Sequence, residues 1–262
     1  MGTSPGNKSS QSQSGPPARP VPEAADVYKR FAALIAIAHR HFGGELGGKL
    51  LLLGQLSATA AGVSLAANIA GAATLGVDAD AERLRQGIRH GFCDFVVNSL
   101  DEALRILKNE LRKKQPVSVW LEGDLAATLR EAVERGLQPD LLALTEKYDA
   151  AEILIQRGGL YFNEDLSQGG PLLEITWSAE SGSALWLSRV DAIAAEVLRP
   201  GDERLRWLKF APRYLGRAMA MEHRLQMSVE EVGQFEQLVG RAMDSGAIGT
   251  KITIQRREPS PR

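Results

Sequence analysis

Along the middle of the chain, unbroken aliphatic runs alternate with stretches whose apolar residues recur every three or four positions. Residues 50–53 are four consecutive leucines, the pattern of a strand buried on both faces. Ahead of them, segment 25–42 places Phe31, Leu34, Ile35 and Ala38 at helical spacing and predicts a helix. After them come a small-residue helix at 59–70, a strand at 74–77, a polar-faced helix at 80–90 and a short strand at 95–97. Ser99, with Glu102 three residues on, marks a capped helix start. That helix runs to about Lys114, where Arg112, Lys113 and Lys114 suit the negative end of the dipole, and Pro116 stops it. A strand at 117–121, a helix at 124–135 closed by Gly136, and a strand beginning at 141–142 complete the series. Strands separated by helices of this length make βαβ units and a parallel sheet. The expected class is α/β: a Rossmann-like, doubly wound parallel sheet over 45–157, preceded by a helix within 23–44.

Residues 158–170 read as a loop with a short strand at 160–162, and 172–177 as another strand. Beyond them helical patterns dominate, at 183–198, 203–221 (with Pro212 as a kink or break) and 229–244, before a final strand at 250–254. The 158–255 region is therefore expected to be mostly helical. Segment 1–22 is low-complexity Ser, Gln and Pro, with almost nothing to bury, and 256–262 is a shorter tail of the same kind; both are expected to be disordered.

Composition narrows the function classes. Lys plus Arg total 31 against 32 Asp plus Glu, so no general attraction to nucleic acid or an anionic membrane is expected. No apolar run approaches a membrane span, and the Ser-, Gln-, Gly- and Pro-rich N-terminus is not expected to act as a signal peptide. The expected location is the cytoplasm. Cys93 is the single cysteine among four histidines, which excludes a disulfide framework within the chain and argues against a thiolate zinc site. His39 and His41, two apart on a helix, do not share a face. His90 and His223 stand alone and read as helix-end or surface residues. No metal ligands and no catalytic residues are assigned. Trp186, Trp207, Phe210 and Tyr214 either pack the C-terminal helices or form a homodimer surface.

The first strand leads into the region where a Rossmann unit carries its glycine-rich phosphate turn. Here Gly54 and Gly62 bracket Ser57, Ala58, Thr59 and Ala60 instead of glycines. Ser57 and Thr59 either cap the helix or donate to a phosphate. Asp78 falls where a ribose-binding carboxylate ends the second strand. The alternative is a helix-start acid, with Asp80 competing for the cap. Arg83 either meets the same ligand or lies on a solvated helix face. As a strand-end ribose acceptor, Asp78 would support little packing. Asp78→Ala would then remove nucleotide binding without unfolding the domain.

Several stretches together resemble the urocanases (urocanate hydratases). They are G-G-K-L-L-L-L-G at 47–54, L-A-A-N-I-A-G-A at 65–72, and V-D-A-D-A-E-R-L at 77–84. G-F-C-D at 91–94, S-L-D-E-A-L at 99–104, P-V-S-V-W-L-E-G-D at 116–124 and R-G-L-Q-P-D at 135–140 continue the series. A weaker likeness to a late family segment covers W-S-A-E-S-G at 177–182 and P-G-D-E-R-L-R-W-L at 200–208. Family members are roughly twice as long as this chain. The resemblance implies the family's NAD-binding domain joined to a remnant of its outer domain. It also implies a chemistry in which nicotinamide acts as an electrophile toward the imidazole of urocanate, water adds, and imidazolonepropionate results. Carried over by position, Asp78, Arg83 and Asp124 stand at family NAD-contact positions, and 57–60 at its glycine-rich loop.

The chain also departs from the family pattern. Residues 57–64 lack the family's glycines, and L-T-E-K-Y-D at 144–149 replaces its Q-T-S-A-H-D. No cysteine occurs at 160–173, where the family's catalytic cysteine should lie. Cys93, among Phe92, Phe95 and Val96, reads as a buried inert thiol. The expectation is a degenerate urocanase-like module that binds NAD or another nucleotide weakly, or serves in interaction. The alternatives are a diverged NAD-dependent lyase and a hydratase subunit completed by a partner chain.

Overall fold

The computed structural model describes residues 22–164, 172–180 and 183–257. Helix α1 (Ala24–His41) leads into β1 (Leu50–Leu53), α2 (Ala58–Ala70), β2 (Ala73–Asp78), α3 (Ala81–Arg89) and β3 (Phe95–Val97). Then come α4 (Leu100–Arg112), β4 (Ser118–Glu122), α5 (Leu125–Glu134), β5 (Leu141–Ala143), α6 (Asp149–Gln156) and β6 (Leu160–Tyr161). The six strands form one parallel sheet in the order β3-β4-β2-β1-β5-β6.

Strand order decides which face each helix covers. The connections from β1 to β2 and on to β3 travel outward, whereas those from β3 to β4, β5 and β6 travel back. Because crossovers are right-handed, α2 and α3 cover one face and α4, α5 and α6 the other. The leucines of β1 divide accordingly. Leu51 and Leu53 pack into the apolar layer with α1 and α2, and Leu50 and Leu52 into the layer with α4, α5 and α6.

Every residue of α2 from Ala60 to Ala70 is buried, as expected of a helix with no polar face. The sheet lies on one side of it, with α1 and α8 (Arg204–Leu215) packed around the rest. Its one buried hydroxyl, Ser64, shares hydrogen bonds with Thr74 (3.0 Å) and Ser118 (2.9 Å), and Ser118 Oγ donates to Phe92 O. Beside this cluster Trp120 lies flat over Gly76. A Cβ at residue 76 would stand 2.4 Å from the indole, so only glycine fits there.

The C-terminal region is built from β7 (Leu173–Ala179), α7 (Ala184–Val197), α8, a 3-10 turn at Gly216–Met219, β8 (His223–Met227), α9 (Val229–Asp244) and β9 (Ile252–Arg257). Helical residues predominate, but a three-stranded antiparallel sheet, β8-β7-β9, organises them. It joins the parallel sheet through a shared apolar layer. In that layer Trp207 of α8 meets Tyr28 edge-on at 4.7 Å and Phe31 at 5.4 Å. Trp207 is therefore a core residue and not part of a homodimer surface.

Several sequence expectations change. Helix α8 runs through Pro212 but stops at Leu215 instead of 221, because Gly216 turns the chain away. Strand β8 was not anticipated. His223 lies within it, buried against Asp191, and is neither a helix-end nor a surface residue. Helix α6, only eight residues long, was also missed. Of the predicted tails, 1–21 and 258–262 lie outside the described residues. Pro22 is buried, and Arg256 and Arg257 belong to β9, paired with β7. Ser99 does cap α4 through the Glu102 N–H, but the Glu102 carboxylate reaches the Asn98 N–H instead of closing a reciprocal box. The reciprocal box occurs at Ser228 and Glu231. Among the described residues no helix is long and apolar enough to cross a membrane, and no group of three or more His, Cys, Asp or Glu could hold a metal ion.

Candidate functional site

The C-terminal edge of the parallel sheet gathers the ends of β1, β2, β4 and β5. Helices α2 and α6 leave β1 and β5 toward opposite faces, so the crevice between these two strands is the topological switch point. Open α/β sheets bind ligands at such a place. A small cleft lies there, of about 150 Å³, lined by Gly54, Gln55, Ser57, Thr59, Ala60 and Val63 on one side. Ala143, Leu144, Thr145, Phe162 and Glu164 form the other.

The turn from β1 into α2 holds its shape without a left-handed residue; none of positions 54–58 has a positive φ. Ala and Ser at 58 and 57 therefore cost this turn no backbone strain. Ser57 is the N-cap of α2, and its hydroxyl accepts from the Ala60 N–H at 3.1 Å. Gln55, Ser57, Ala58 and Thr59 are exposed, whereas Leu56 between them is buried. Gly62, one turn further in, faces α1: the Arg30 guanidinium lies 2.9 Å from where its Cβ would be, so a side chain there would make Arg30 shift.

Asp78 ends β2 with its side chain wholly buried. Its Oδ2 accepts from the Leu56 N–H (2.8 Å) and Arg83 Nε (3.0 Å). Its Oδ1 accepts from the Asp80 N–H (2.8 Å) and Arg83 Nη2 (2.9 Å). The carboxylate thus clasps the β1–α2 turn to the start of α3, and protein donors fill it. The bond to Asp78 holds Arg83 further into its charged form than usual. The arginine is still 44% exposed, and its Nη1 reaches only the edge of Asp80 at 3.7 Å. Asp80, not Asp78, caps α3, accepting from the Glu82 and Arg83 N–H groups. Asp124 caps α5 through the Ala127 N–H at 2.7 Å.

Of the residues singled out in the sequence, Ser57, Thr59 and Ala60 line the cleft, with Ala58 on the exposed turn above it. Arg83 is brought beside that turn by the oxygen it shares with the Leu56 N–H. Asp124 stays at its own helix start. Sequence reasoning missed the far wall, Thr145, Phe162 and Glu164. Glu164 pairs with Arg30 Nε at 2.8 Å, a partner 134 positions away, so no local signal marks it.

Residues 28–153 match the family model described as the urocanase Rossmann-like domain. This stretch is a urocanase-type Rossmann-like domain. A solved structure, that of L-tryptophan dehydrogenase from Nostoc punctiforme, is similar at 12% identity and a TM-score of 0.31. That likeness covers 56% of this chain and 43% of the other, so this chain spans less than half of that enzyme's length. The urocanase-type domain belongs to a dinucleotide-binding class of fold. Its cleft, however, is about 150 Å³, below the roughly 300–1,000 Å³ of ligand pockets. With Glu164 on its wall and Asp78 filled by protein donors, the described residues do not enclose an intact NAD. Cys93 of the same domain is buried against Gly87, whose Cβ would stand 2.5 Å from Sγ. Burial first, then the charges of Asp94 and Asp78, pushes this thiol up to about 12, the state of an inert cysteine.

Proposed function

We propose that the urocanase-type domain retains a weak nucleotide-binding surface and has lost urocanate hydratase chemistry. In this reading the exposed first turn of α2 receives phosphate. The peptide N–H groups of Ala58 and Thr59 and the hydroxyls of Ser57 and Thr59 are the donors, and Arg83 is the adjacent cation. The observation that carries the reading is the shared Asp78 oxygen, which fixes Arg83 next to that turn while its side chain stays 44% exposed, with only Asp80, at 3.7 Å, beside Nη1 among the described residues. Asp78 acts in it as a positioning residue. Loss of hydratase chemistry is supported by the cysteine-free 160–173 segment and by the replaced 144–149 motif.

The test is calorimetric titration of NAD, ADP-ribose and AMP into wild type and Arg83→Ala. Affinity near the millimolar range is expected for each, falling several-fold in the variant. NAD copurifying stoichiometrically, or equal affinity in the two proteins, would overturn the reading. The urocanate absorbance band should persist on incubation with the purified chain; its loss at a rate comparable to an intact hydratase would refute the second half.

A further inference from the structure

Away from the parallel sheet, a cleft of about 750 Å³ opens between α7, α8 and the 3-10 turn before β8. Its walls are largely apolar, with Leu187, Leu205, Leu208, Pro212 and Met219 prominent. The polar groups facing it are few: Ser188, Asp191, Lys209 and His223. Size and lining fall in the range of small-molecule sites, where apolar walls surround a few placed polar atoms.

His223 gives this cleft its chemistry. Its side chain is 8% exposed. Its Nδ1 lies 2.8 Å from both oxygens of Asp191, and Trp177 Nε1 donates to the same carboxylate at 3.1 Å. A carboxylate only accepts, so Nδ1 carries the hydrogen. In the neutral ring Nε2 is then an acceptor. Nε2 has no protein partner among the described residues, although the ring lines the cleft. The arrangement is built by tertiary contacts: Trp177 and His223 are cross-strand neighbours on β7 and β8, and Asp191 comes from α7. An acceptor with its tautomer fixed, open to an apolar cleft that offers few other polar groups, is placed to receive a donor from a ligand.

We propose that this cleft is a second ligand site, for a small apolar molecule with one hydrogen-bond-donating head group of the phenol type, received by His223 Nε2. Leu187, Leu205, Leu208 and Met219 hold the apolar body, and Asp191 is a positioning residue that keeps Nε2 an acceptor. The site is separate from the switch-point cleft and does not depend on nucleotide binding.

The probes are 4-ethylphenol and 4-ethylanisole, matched in shape except that the ether has no donor. Binding to the full chain is followed by ligand-observed NMR and by the nitrogen resonance of His223 Nε2, at about pH 8 so that an ordinary imidazole is neutral. The phenol should bind about ten-fold tighter than the ether, a margin set by one hydrogen bond, and only the phenol should move the Nε2 resonance. Asp191→Asn turns a donor toward Nδ1, places the hydrogen on Nε2 and should collapse the ratio to about one. Ser188→Leu, at an exposed position on the cleft wall, should narrow the cleft and weaken both probes while leaving the Nδ1 bond intact. If Asp191→Asn does not fold, the wild-type ratio, the Nε2 shift and Ser188→Leu still decide. Equal affinity for the two probes, an unmoved Nε2 resonance, or unchanged binding in Ser188→Leu would overturn the proposal. So would a self-association that Ser188→Leu abolishes in place of probe binding, because the cleft would then be a contact between two copies of the chain.

Discussion

Asp78→Ala should destabilise the fold and not merely empty a ligand site. The carboxylate is wholly buried and accepts four hydrogen bonds at 2.8–3.0 Å. Removing it leaves the buried Leu56 N–H without an acceptor, at a cost of about 1–3 kcal/mol. The Asp80 N–H adds about 1 kcal/mol, since it is partly open to water. Arg83 is 44% exposed and turns to solvent, so its share is under about 1 kcal/mol. The total is about 3 kcal/mol, read as a shift in the midpoint of urea unfolding. Arg83→Ala should cost about 1 kcal/mol, because the two peptide donors still hold the carboxylate. This ordering makes Arg83, not Asp78, the clean variant for binding studies. An Asp78→Ala protein within about 0.5 kcal/mol of wild type would refute the clasp. An Arg83→Ala loss as large as that of Asp78→Ala would show that the ion pair, not the peptide donors, holds the two turns together.

Gly76→Ala drives a Cβ to 2.4 Å from the Trp120 ring; it should cost about 1–3 kcal/mol or more and alter the near-ultraviolet circular dichroism of Trp120, and an unchanged spectrum and melting point would contradict the packing. Cys93, with its thiol pushed up to about 12, should resist iodoacetamide in the native protein and react at once in guanidinium; fast native alkylation would contradict its burial. The Arg204 guanidinium, with help from Ser228, holds Glu231 below the usual carboxylate range. Its contribution is therefore full above the ordinary glutamate value and lost as pH falls through the depressed one. Glu231→Gln should accordingly flatten the fall in stability on the acid side of the ordinary glutamate range; an acid limb identical to wild type would refute that linkage.

Local pattern was enough for much of the parallel sheet. Four leucines in a row specify a strand covered on both faces, and a helix of Ala, Gly and Val with no polar face specifies burial. Turn chemistry marked the start of α4, because Ser99 acts on a peptide group three residues on; Asp124, assigned to a cofactor-contact position, caps α5 in the same way. What failed was whatever depended on a distant partner. His223 reads in sequence as a helix-end or surface residue, and nothing local marks 223–227, with His223 and Arg224 side by side, as a strand. Both are buried, His223 against Asp191 and Arg224 against Glu174, which lie 32 and 50 positions away. Asp78 had the spacing of a ribose acceptor. Its occupancy was decided by the Leu56 N–H, 22 positions earlier, and by the Arg83 side chain folding back onto it. The far wall of the switch-point cleft came from strand order, which follows from how both faces of the sheet are covered and not from any one segment. Sequence by itself determined the periodicities, the Ser99 cap and the family of the parallel sheet. Tertiary structure alone decided which charged groups are satisfied, because a buried charge is set by the partner that desolvates with it, and that partner is rarely a neighbour in the chain.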